Sequence, residues 1–117
     1  MQLTLDTLKE TGAFTGRPVE KEITWKGRDG KEYKATVYVR PVGYHSTKVD
    51  LLASKGKVDP IAGRIAAQIC DERGNPIFTE ADILGTASEE FGALDGPIVI
   101  ALLVVIQEVN ELGKTTS

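Results

Sequence analysis

His45 and Cys70 are the only histidine and the only cysteine in the chain, so a thiol–imidazole nucleophile would have to be built from this pair. Such a dyad needs both side chains in hydrogen-bond reach and a third group to orient the imidazole, and nothing in their spacing requires that. Their plainer reading makes Cys70 a small core residue on a helix face and His45 a loop residue beside Tyr44. One histidine, one cysteine and scattered carboxylates also fall short of a metal-ligand set, and no cofactor is expected. The acidic pairs Asp71-Glu72 and Glu89-Glu90 would do acid–base work only in an apolar pocket that raises one pKa. Both lie in expected turns or helix starts, where carboxylates complement the helix dipole. Gly113-Lys114-Thr115 has the ending of a phosphate-binding loop, but position 108 is Glu where that motif requires glycine, and the segment follows a helix instead of opening one. The residues therefore point to a protein that is not an enzyme.

What exceeds expectation is an apolar run of nine residues, Ile98 to Ile106. Pro97 to Leu112 reads as the longest helix, about 24 Å at 1.5 Å per residue, with Pro97 at its first position and Gly113 just past its end. Strand is the competing reading, because six of the nine are β-branched, but length and both terminal signals favour helix. Ile98, Leu102, Val105, Val109 and Leu112 form a core stripe, and Val99, Leu103 and Ile106 an adjoining one. Ile100 and Val104 make the first half apolar on all sides. The surface helix of a small domain needs one such stripe, so the surplus is expected to meet another chain. The candidate protein-binding residues are Ile98, Ile100, Leu103, Val104 and Ile106.

The rest of the chain must position that helix. Val19, Ile23 and Trp25 alternate with Glu20, Glu22 and Thr24, and Tyr33, Ala35, Val37 and Val39 alternate with Lys34, Thr36, Tyr38 and Arg40. Gly27-Arg28-Asp29-Gly30 joins them as a hairpin, and Pro41 closes it. Leu3 and Leu5 suggest a third strand in the amino-terminal segment, and DTLKETG one helical turn stopped by Gly12. Ser46 is expected to cap a helix carrying Val49, Leu52 and Ala53, ended by Gly56. Asp59 and Pro60 cap and open a second, with Ile61, Ile65 and Ile69 on one face. Asp71 to Pro76 is a turn by composition. Thr79 and Asp82 have capping-box spacing for a short helix ending at Gly85, and Ser88 to Phe91 suggests another. The expected class is α+β, with an N-terminal β-hairpin or small antiparallel sheet packed on several C-terminal helices, in one domain over residues 1–117 without repeat or linker.

A chain of 117 residues supports one core. Nine apolar residues are too few for a membrane helix, which needs about 20. The first residues lack the basic and apolar regions of a secretory signal, and one cysteine agrees with a reducing compartment, so a cytosolic protein is expected. A net charge of -3 is the wrong sign for life on phosphate backbones, and nucleic acid is not an expected partner. The charge is also uneven: residues 1–58 carry 11 basic and 7 acidic side chains, residues 59–117 carry 3 and 10. That split favours copies associating head to tail or a charged partner.

The stretch Arg64 to Ile83, RIAAQICDERGNPIFTEADI, followed by a short acidic segment and an apolar helix, resembles the tail assembly chaperones of long-tailed bacteriophages. The similar part is a helix ending in I-C-D-E-x-G-x-P-I-F-T-x-x-D-I, with TVYVR and YHS in the preceding half. The resemblance implies a non-enzymatic protein that coats the helical tape measure protein, keeps it soluble until the tail tube polymerises, and is absent from the mature virion. It implies work in the host cytoplasm, self-association and contact with the major tail tube protein. It also implies a longer frameshifted product, for which Gly113-Lys114 stands at a suitable place. The alternative is a small virion component, such as a head–tail connector or tail terminator subunit.

Overall fold

The two alternating segments form β1 (Val19–Lys26) and β2 (Glu32–Val39), paired antiparallel from Val19 opposite Val39 to Lys26 opposite Glu32. The structure is a computed structural model and describes residues 1–111. Between the strands, the Gly27 carbonyl accepts from the Gly30 N–H at 3.0 Å and the Gly27 N–H donates to the Lys31 carbonyl at 2.8 Å. Gly30 closes this turn at φ +80°, a conformation that glycine adopts without strain. Period two then sorts the side chains. Ile23, Val37 and Val39 are buried, while Glu20, Glu22, Thr24 and Thr36 face solvent.

The third strand is β3 (Ile69–Cys70), which pairs antiparallel with β2, Tyr38 opposite Cys70 and Val39 opposite Ile69. The sheet order is β1-β2-β3. The amino-terminal segment therefore does not supply the third strand. It forms α1 (Leu5–Glu10), whose start is capped by the Thr4 hydroxyl accepting from the Thr7 N–H at 3.1 Å. A local cap outweighs the weak alternation of two leucines.

α2 (Tyr44–Ser54) begins two residues before the expected cap, with Gly43 at the N-cap. Ser46 is buried inside the first turn, where its hydroxyl accepts from the Gly43 N–H and donates to the Gly43 carbonyl. α3 (Pro60–Gln68) starts as expected: Asp59 accepts from the N–H groups of Ile61 and Ala62 at 3.0 and 2.8 Å. Its expected face does not hold throughout. Ile65 is buried, Ile61 is 52% exposed, and Ile69 has left the helix for β3 with φ -89° and ψ 125°. A β-branched residue beside an available strand gains a ladder and a buried site there.

α4 (Glu80–Leu84) carries the Thr79–Asp82 capping box and ends at Gly85 with φ +85°. Ser88 to Phe91 is a turn, in which the Ser88 hydroxyl accepts from the Glu90 N–H. No helix follows because Gly92, at φ +68°, ends the segment after one turn. α5 (Gly96–Glu111) is helix through the whole apolar run. It begins one residue earlier than the proline signal places it, and Leu112 and Gly113 lie outside the described residues.

The core lies between one face of the sheet, α3 and α5, around Val39, Ile65, Ile69, Leu102, Val105, Ile106 and Val109. α5 runs chiefly along β1, and α3 packs against α2, α4 and α5. The fold is α+β: a three-stranded antiparallel sheet, its β1–β2 hairpin in the amino-terminal half and β3 after α3, with the helices mostly following the hairpin.

Candidate functional site

α5 is held on three sides. Leu102, Val105, Ile106 and Val109 are buried against sheet and α3. Lys21 of β1 reaches Glu108 with Nζ 2.9 Å from Oε2. On the opposite flank, Asn110 accepts from the Val42 N–H at 2.7 Å and donates to the Ile106 carbonyl at 2.7 Å. The fourth side is uncovered by the described residues. Ile100 is 64% exposed and Val104 47%, one helical turn apart. Leu103 flanks them half-buried, whereas Ile98 lies about 160° around the helix from Ile100 and packs half-buried against the core. Ile106 is 3% exposed and packs in the core, so of the five candidates it supports the surface from beneath without reaching it.

The structure adds a groove that the sequence reading missed. Trp25, Ile77, Phe78, Phe91, Leu94 and Ile98 line it, with Asp82, Asp95 and Arg28 at the margin. Ile98 thus links the start of α5 to an aromatic hollow. Arg28 is ion-paired to Asp95 at 3.2 Å. Phe91 is 82% exposed there, and the signal in the sequence was a lone aromatic inside an acidic turn.

Cys70 and His45 are placed apart in character. Cys70 is buried, its thiol donating to the Tyr38 carbonyl at 3.5 Å, and burial pushes its pKa up, which disfavours thiolate. His45 is exposed, with its ring edge-on to Tyr44 at 5.5 Å between centroids. Asp71 is a turn residue: Oδ1 accepts from the N–H groups of Arg73 and Asn75, each at 2.9 Å, and its pKa is lowered, chiefly by the Asn75 N–H. Glu89 and Glu90 are exposed in the turn before α5. Gly113-Lys114 lies outside the described residues. Among the described residues no group of three or more His, Cys, Asp or Glu is placed to hold a metal ion. No helix among them is long and apolar enough to cross a membrane.

Fold and surface together define a class: a small α+β protein whose longest helix packs on the sheet and leaves Ile100 and Val104 exposed. Residues 6–110 match the family model described as phage tail assembly chaperone, TAC, and the chain belongs to that family. No curated protein and no solved structure matches it. The family read from Arg64 to Ile83 is thereby borne out, and with it a role in tail assembly alongside protein partners.

Proposed function

We propose that this chaperone binds the tape measure protein, and tail tube subunits, through the uncovered side of α5, in the host cytoplasm, and leaves before the virion is complete. One observation carries the reading: Ile100 and Val104 stand exposed together, one turn apart, on the side of α5 away from its core contacts. An apolar stripe of this kind receives the apolar face of a long amphipathic helix, which is the chemistry of helix-in-groove recognition. The half-buried Leu103 extends the stripe, and the buried Ile106 keeps its backbone in place. The role asks for binding and release, with no catalytic step.

Co-expression tests it. The wild-type chain should keep the tape measure protein in the supernatant, and Ile100→Asp and Val104→Asp should lose it to the pellet while their circular dichroism stays that of the wild type. Retained capture by both variants overturns the assignment of this face. Mass spectrometry of purified virions should find no copy of the chain, and a stoichiometric amount there would favour a structural component instead.

A further inference from the structure

β1 is an end strand of the sheet, so among the described residues no strand lies beside one of its sides. An antiparallel ladder uses the backbone of alternate residues. The Gly27 N–H donating to the Lys31 carbonyl continues the β1–β2 register and sets the phase: Val19, Lys21, Ile23 and Trp25 bond toward β2. Glu20, Glu22, Thr24 and Lys26 then direct their N–H and C=O groups outward. The same phase shows on β2, where the Arg40 N–H donates to the Gln68 carbonyl at 2.7 Å, on the side away from β1. Among the described residues no hydrogen bond reaches the four outward backbone pairs. This edge is eight residues long, without proline. Natural edges are blunted by shortness, proline, bulges or charges, inward-pointing lysines among them; β1 is long and free of proline, and its inward-facing Lys21 is neutralised by Glu108.

We propose that β1 pairs antiparallel with β1 of a second copy of this chain, joining two three-stranded sheets across a two-fold axis normal to them. Two registers match the phase and keep nearly the whole strand in the ladder. One sets Glu22 against the partner's Glu22, a like-charge pair. The other puts Ile23 on the axis, Glu20 opposite the partner's Lys26, Glu22 opposite the partner's Thr24 and Lys21 opposite the partner's Trp25. That register pairs opposite charges twice on the solvent face and, on the other, lays the aliphatic stem of Lys21, whose ammonium Glu108 holds, beside an indole twice. The edge is self-complementary, and it discriminates against its own nearest slip.

The axis is normal to the sheet, so both copies of α5 stay on one side of the joined sheet. Each has Ile100 and Val104 on the side opposite its core contacts, and the two stripes together make a broader apolar surface than either alone. The pairing deepens the proposed function in this respect and rests on it only for what that surface is for.

Sedimentation velocity of the full chain over a concentration series tests the pairing. The wild type should pass reversibly from monomer to dimer. Lys26→Glu, at an exposed position, should weaken the dimer about tenfold by reversing two cross-strand charge pairs, and Glu20→Lys with Lys26→Glu should restore it. Thr24→Pro, which removes an outward N–H that the monomer does not use, should leave monomer. Ile100→Asp should keep the dimer, so that lost client capture with the dimer intact faults the reading of α5 and spares the pairing. A wild type that stays monomeric, a dimer indifferent to both Lys26→Glu and Thr24→Pro, or a double variant no better than Lys26→Glu overturns the proposal.

Discussion

Lys21 on β1 and Glu108 on α5, far apart in the chain, meet with Nζ 2.9 Å from Oε2 and tie the edge strand to the helix that lies over it. Half of the Glu108 side chain is exposed, so water screens the pair. Glu108→Gln should lower unfolding stability by about 0.2–1 kcal/mol in urea titrations at low salt, and high salt should shrink the difference.

Ile65 and Ile100 are the same residue type at opposite ends of the burial scale, 0% and 64% exposed. Ile65→Ala should cost about 2–5 kcal/mol, the lost transfer energy plus a cavity. Ile100→Ala should change stability by no more than about 0.5 kcal/mol. Thermal denaturation of the two variants checks the contrast, and equal losses would mean that α5 is covered on every side.

Gly85 ends α4 at φ +85°, and a Cβ there would stand 2.4 Å from the Ala93 nitrogen and 2.6 Å from the Gly92 carbonyl carbon. Both neighbours are backbone, so they cannot turn away as a side chain would. Gly85→Ala should therefore destabilise by at least about 1 kcal/mol, read as a lower denaturant midpoint at unchanged slope. The same substitution at Gly12 meets open space, so only its positive φ opposes it, and its loss should be the smaller one.

Among the described residues, three carboxyls are held below their ordinary value of 3.8. The Tyr33 hydroxyl, and then the Lys31 N–H, hold Asp29 down; backbone N–H groups of Asn75 and Arg73 do so for Asp71; the Thr79 N–H and hydroxyl do so for Asp82. A depressed native pKa means that the unfolded chain binds more protons, so this stability is present above 3.8 and is lost as pH falls through the native values. The melting temperature should hold down to about pH 5 and then decline. Asp82→Asn should give a shallower acid limb, and an unchanged limb would show that the capping box carries no part of it.

Much of the fold was legible because its signals are local. Alternation over Val19 to Val39, the Gly27–Gly30 turn, the Asp59 cap and the Thr79–Asp82 box each act within a few residues, where spacing alone decides the geometry. The misreadings lie where a short segment had to choose between neighbours. Ile69 joined β2 instead of extending α3, Ser46 went inside α2 with Gly43 as its cap, and Ser88 to Phe91 stopped at one turn. Those outcomes depend on what is packed nearby, which residue types do not state.

For the site, the sequence by itself determined that the helix near the carboxy terminus has more apolar surface than one face can bury, because nine consecutive aliphatic residues must point in every direction around a helix. Only the tertiary structure decided which of them are left uncovered. Neighbours fill a helix's surroundings in three dimensions, and the sheet and α3 took Leu102, Val105, Ile106 and Val109 while none of the described residues reached over Ile100 and Val104. The free edge of β1 was likewise beyond the sequence, since a strand's exposed side exists only once the order of the sheet is known.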